Sequence, residues 1–74
     1  MKSKSVIDLN PGESGIIKEL LDDELSLKLL EMGCLPGQLI TMKYTAPFGD
    51  PICVKVSGYD LSLRLNEAIK ISIQ

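Results

Sequence analysis

Two thiols and one run of carboxylates are the residues of this chain best equipped for chemistry. Cys34 and Cys53 are its only cysteines, and it has no histidine. A nucleophilic thiolate needs a depressed pKa, from a neighbouring cation or a helix N-terminus. Cys34 instead comes just after a segment that reads as a helix, at the end whose negative partial charge raises a thiol pKa. The two cysteines are not spaced as Cys-x-x-Cys, and no histidine completes a metal set. Asp22-Asp23-Glu24 could hold a hard cation weakly, but short carboxylates there also cap a helix and suit its positive end. Ser14, Ser26 and Ser57 have no evident base or orienting group. Gly12-Glu13-Ser14-Gly15 lacks the Lys-Ser/Thr ending of a phosphate loop and does not open a helix. The chain therefore reads as a non-enzyme that acts by binding.

The elements that must carry such a role are short. Ser5 to Leu9 reads as a first strand, and Asn10-Pro11-Gly12-Glu13 as a turn. Gly15 to Leu21 is a strand, with Ile17, Glu19 and Leu21 on one face. A helix is expected near residues 23–32, starting at the carboxylates. Leu25, Leu29 and Met32 form its narrow apolar stripe. Gly33 fits the left-handed position just past its end, and Pro36 cannot continue it. Leu39 to Thr45 is a strand, and Ala46 to Pro51 a loop after it. Ile52 to Ser57 alternates cleanly, with Ile52, Val54 and Val56 opposite Cys53, Lys55 and Ser57. Tyr59 to Leu65 alternates again, with Leu61, Leu63 and Leu65 on one face. Residues 66–68 form a short bridge, expected as one 3₁₀ turn. Ile69, Ile71 and Ile73 face inward on a last strand. About five to six short strands and one helix make a mainly β fold, a small, partly closed antiparallel barrel.

Composition narrows the partners. The 74 residues make one domain, residues 1–74, with a core worth about 3–5 kcal/mol and 45% hydrophobic residues. Aromatics are only 4%, so Leu, Ile and Val must fill the interior. The net charge is −2 with no basic stripe, which argues against nucleic acid. Met1 to Ser5 is polar, and Val6 to Leu9 is too short for a secretory signal. No apolar run approaches the about 20 residues of a membrane helix. The expected location is the cytoplasm, with both thiols reduced and membranes met only through a partner.

The motifs, in order, resemble the FeoA family, which accompanies the ferrous iron transporter FeoB. Leu29-Leu30-Glu31-Met32-Gly33-Cys34-Leu35-Pro36-Gly37 looks like that family's helix-exit signature. Ala46-Pro47-Phe48-Gly49-Asp50-Pro51 is similar to its Gly-Asp-Pro loop. Gly58, Leu63-Arg64, Glu67-Ala68 and Ile71 also sit at family-like positions, as does the opening Leu9-x-Pro-Gly-Glu-x-Gly. Leu27 departs, standing near where many relatives carry a basic residue. The resemblance implies an SH3-like barrel and a role in Fe²⁺ uptake through contact with the cytoplasmic GTPase part of FeoB. No cofactor is expected, and a weak contact with Fe²⁺ or another divalent metal is the most the residues allow. The same fold occurs as the C-terminal domain of iron-dependent repressors, so a metal-responsive regulatory module is an alternative. The chain is expected to be free-standing, with no DNA-binding helices attached, which favours the transport role. A third reading is a weakly self-associating interaction module.

Most motif residues have a structural use. Gly33, Pro36, Gly37, Gly49, Asp50, Pro51 and Gly58 punctuate elements. What is left over is apolar. Leu27 falls nearly opposite the helix's buried stripe, Leu30 flanks it, Leu35 comes after the helix, and Phe48 sits at a loop tip. These four are the candidate partner-binding surface. Their competing role, for Leu30 and Leu35 especially, is to complete the core.

Overall fold

The computed structural model describes residues 4–21 and 23–74, except for the side chains at 23 and 25. The expected helix cap at Asp22, the Asp22-Asp23-Glu24 cluster and the burial of Leu25 lie outside the described residues. The elements are β1 (Lys4–Ser5), a 3₁₀ turn (Val6–Asp8), β2 (Ser14–Leu20), α1 (Asp23–Glu31), β3 (Leu39–Thr45), β4 (Ile52–Val56), β5 (Tyr59–Leu63), α2 (Leu65–Ala68) and β6 (Ile71–Ile73).

All strand pairs are antiparallel, in the order β1-β6-β2-β3-β4-β5. β2 serves both halves. Its first residues, Ser14 to Ile16, pair with β3, and Ile17 to Leu20 pair with β6. β1 and β5 do not pair, so the sheet is not closed. The barrel is a loose one, with β5 as an edge.

Alternation holds best in β4, where Ile52, Val54 and Val56 are buried and Lys55 is exposed. These pack in one cluster with Val6, Ile17, Leu29, Cys34, Ile40, Met42, Leu63, Ala68, Ile71 and Ile73. The interior is almost wholly aliphatic, as the scarcity of aromatics requires.

Four local expectations change. The first strand stops at Ser5. Asp8 accepts a hydrogen bond from the Ser5 N–H (2.9 Å), and the Leu9 N–H closes on the Val6 carbonyl (3.1 Å). Such a local bond offers the backbone an alternative to the ladder.

In β2 the register with β6 shifts between Ile17 and Glu19. The extra residue swaps the faces of the side chains beyond it. Leu20 then packs against the core as Ile17 does, and Leu21, which the alternation placed on the face of Ile17, is exposed.

β5 ends at Leu63, and the bridge is a turn of α-helix from Leu65, not a 3₁₀ turn at 66–68. There are thus two helices, and Leu65 is exposed. Ile69 also leaves the strand. Its N–H bonds to the Leu65 carbonyl at the end of α2, and its side chain is exposed.

Candidate functional site

The helix exit is built from backbone bonds. The Gly33 N–H donates to the Leu30 carbonyl (3.0 Å), and the Cys34 N–H reaches back to the Leu29 carbonyl (2.9 Å). With Gly33 at φ +95° this is a Schellman cap. Its accompanying apolar pair is Leu29 and Cys34, both fully buried. The turn Leu35-Pro36-Gly37-Gln38 then closes with a Gln38 N–H to Leu35 carbonyl bond of 3.0 Å. Pro36 supplies the fixed φ and Gly37, at +91°, the positive one. Two bonds stitch this turn to β2: Gly37 N–H to the Ile17 carbonyl (2.8 Å) and Ile17 N–H to the Gln38 carbonyl (2.9 Å).

The loop after β3 is equally constrained. The Gly49 N–H bonds to the Ala46 carbonyl (2.7 Å), and the Ala46 N–H bonds to the Pro51 carbonyl (2.9 Å). That turn lifts Phe48 to its tip, where it is 98% exposed. Asp50 points the other way. Its Oδ1 accepts the Leu65 N–H (3.2 Å), one of the orphan donors that open α2.

The four predicted contact residues are all at the surface. Leu27 is 67% exposed, Leu30 39% and Leu35 42%. Leu27 and Leu30, three positions apart, are neighbours on the outer side of α1. Phe48 belongs to a different element, the loop after β3. α1 and the Phe48 loop flank a common cleft of about 420 Å³, lined by Lys28, Asp50, Pro51, Ser62, Arg64 and Glu67. Leu27 is next to Lys28 in sequence, and Phe48 is two residues before Asp50.

The cleft was not evident from the sequence. Among its lining residues is Glu67, whose side chain is only 14% exposed. Glu67 accepts the Arg64 N–H (2.9 Å) through one oxygen and the Lys28 ammonium (3.1 Å) through the other. The Arg64 N–H bond, then Lys28, hold its carboxyl below the usual glutamate value. The Arg64-x-x-Glu67 spacing was the available signal, that of a carboxylate reaching back to a helix start. Nothing local could have announced the Lys28 contact, 39 residues away.

The two thiols sit in different environments. Both are free. Burial pushes the Cys34 thiol up, the expected direction, with desolvation as the cause. Cys53 is half-buried, and its sulfur holds the neighbouring Tyr44 hydroxyl protonated above its ordinary range. The hydroxyls of Ser14 and Ser57 are occupied as well. Ser14 shares a 2.7 Å bond with Thr41, and Ser57 donates toward Gln38 Oε1 (3.1 Å) and the Gly33 carbonyl (3.4 Å). Among the described residues, no three His, Cys, Asp or Glu side chains gather where they could hold a metal ion. Among them too, no helix is long and apolar enough to cross a membrane.

Comparison with known proteins adds what geometry does not. A family model described as the FeoA domain matches residues 4–74. A relative from Porphyromonas gingivalis is an Fe(2+) transport protein A/Fe(2+) transporter FeoB fusion protein, 32% identical over 68 residues. The match takes in 90% of this chain and 8% of the fusion protein, so the chain spans a small part of that relative's length. The solution structure of iron(II) transport protein A from Clostridium thermocellum superposes with a TM-score of 0.90 at 38% identity, over 96% of this chain and 44% of that one. Stenotrophomonas maltophilia FeoA, crystallised with zinc and described as a prokaryotic SH3 domain protein, gives a TM-score of 0.85 over 96% of this chain and 89% of that one. At 24% identity this last likeness shows the fold alone, an SH3-like one.

Proposed function

The chain belongs to the FeoA family, and from that premise we propose that it is a non-enzymatic accessory of ferrous iron transport. It works in the cytoplasm, by contact with the cytoplasmic GTPase part of a FeoB-type transporter. The observation that carries this reading is the joining of the two proteins in one Porphyromonas polypeptide. Fusion fixes two partners at high effective concentration, which is useful when they act on each other. The structure supports the same division of labour. Its thiols and the Ser14 and Ser57 hydroxyls are buried or engaged, and its unused features are exposed apolar side chains. In this reading Leu27, Leu30, Leu35 and Phe48 meet the transporter, and iron is the transporter's cargo. No cofactor is assigned to this chain.

The test is an NMR titration of the isotope-labelled chain with the cytoplasmic domain of a FeoB-type transporter, with and without guanine nucleotide. Shifts localised to α1, the helix exit and the Phe48 loop are expected. Their absence in both nucleotide conditions would remove the direct-contact model.

A further inference from the structure

Beside the apolar residues the cleft presents charge, and its charges are unequally used. Both carboxylates already have donors. Asp50 accepts the Leu65 N–H, and Glu67 accepts the Arg64 N–H and the Lys28 ammonium. Of the two cations, Lys28 is paired with Glu67 at 3.1 Å. Arg64 is different. It lines the cleft, and among the described residues its guanidinium makes no hydrogen bond or ion pair, attracting Glu67 only weakly from farther off. A guanidinium carries five donors in a planar fork whose natural complement is a carboxylate or phosphate. Contrast Lys43 on β3, whose ammonium is paired with Asp60 of β5 at 3.2 Å.

We propose that this cleft, through Arg64 with Ser62 and Lys28 beside it, receives an acidic side chain from the protein partner. The occupant is then a segment that combines apolar and acidic residues. Its apolar side chains cover the exposed Leu27 and Phe48, which adjoin the lining residues Lys28 and Asp50 in the chain, and its carboxylate takes the fork of Arg64. The commitment to a carboxylate over a free phosphate rests on those apolar neighbours, which a small hydrated anion would leave bare. This deepens the transporter-contact reading and rests on it. The aromatic-lined groove that receives proline-rich peptides is not built here: none of the six lining residues is aromatic.

The experiment measures affinity for the same cytoplasmic domain with the wild-type chain and with Arg64→Gln and Arg64→Lys, at low and high salt. Arg64→Gln should weaken binding about tenfold, as for loss of a charge-assisted hydrogen bond, and flatten the salt dependence. Arg64→Lys should restore the salt dependence but only part of the affinity. The thermal midpoints of both variants should stay close to the wild type, because among the described residues the guanidinium makes no hydrogen bond or ion pair. Three results overturn the proposal. Wild-type affinity in Arg64→Gln would sink the carboxylate site while leaving the transporter-contact reading standing. No binding by the wild-type chain would sink both. Inorganic phosphate that displaces the domain from the wild-type cleft and perturbs Leu27 and Phe48 equally would make it a generic anion site.

Discussion

Leu27 and Leu29 stand two positions apart on α1 and meet opposite environments. Leu29 is fully buried in the core, against the Schellman cap; Leu27 is 67% exposed. A helix turns by about 200° over two residues, so the same side chain is scaffold at one position and surface at the next. The difference teaches where to look for function in so small a domain. Buried apolar residues and left-handed glycines have sufficient physical causes. An exposed leucine has none in the fold, and it becomes informative only in company, here with Leu30, Leu35 and Phe48.

The sharpest way to break the comparison is to truncate both leucines. Leu29→Ala should cost about 2–5 kcal/mol, comparable to the whole net stability of a domain this size, about 3–5 kcal/mol. Its thermal melt should show a chain largely unfolded near room temperature. Leu27→Ala should change stability by no more than about 0.5 kcal/mol. Equal costs would mean that the two faces are not distinct.

Gly33 joins the scaffold side on different grounds. An alanine Cβ there would meet only Ser57, at 3.8 Å, so space is not the obstacle. The obstacle is φ +95°. Gly33→Ala should cost about 1–2 kcal/mol through backbone strain, and Gly33→Asn less, since Asn tolerates the left-handed region better. Denaturant midpoints of the two variants test this ranking.

A smaller effect concerns the clasp between the helices. The Glu67 carboxyl titrates below its ordinary value of 4.5, so its stabilising contribution is complete at neutral pH. That contribution declines as the pH falls from the unfolded value through the lowered folded one. The drop in thermal midpoint between neutral and acid pH should be smaller in Glu67→Gln than in the wild type. An unchanged drop would mean that other carboxylates carry the acid sensitivity and that the clasp is incidental.

Much of the scaffold was legible in the sequence because its causes are local. The exit at Gly33, the Pro36-Gly37 turn and the alternation of β4 each arise from a few adjacent residues. The exposure of Leu27 and Phe48 was legible too, from helical spacing and loop position. What was hidden depends on contacts far apart in the chain. The bulge that turns Leu20 inward and leaves Leu21 outside is set by pairing with β6, more than 50 residues on. The start of α2 at Leu65 is capped by Asp50 from the opposite loop. The cleft joins α1 to α2 through Lys28 and Glu67, and neither residue's pattern named the other.

The central claim is that the exposed apolar residues serve a partner and not the fold. Leu27→Ala/Phe48→Ala tests it most directly, with thermal midpoint and affinity for the FeoB-type cytoplasmic domain measured on the same preparation. A midpoint close to wild type with affinity reduced at least about tenfold is the predicted result. A collapsed midpoint with affinity intact would contradict it, and would place these side chains with Leu29 in the scaffold.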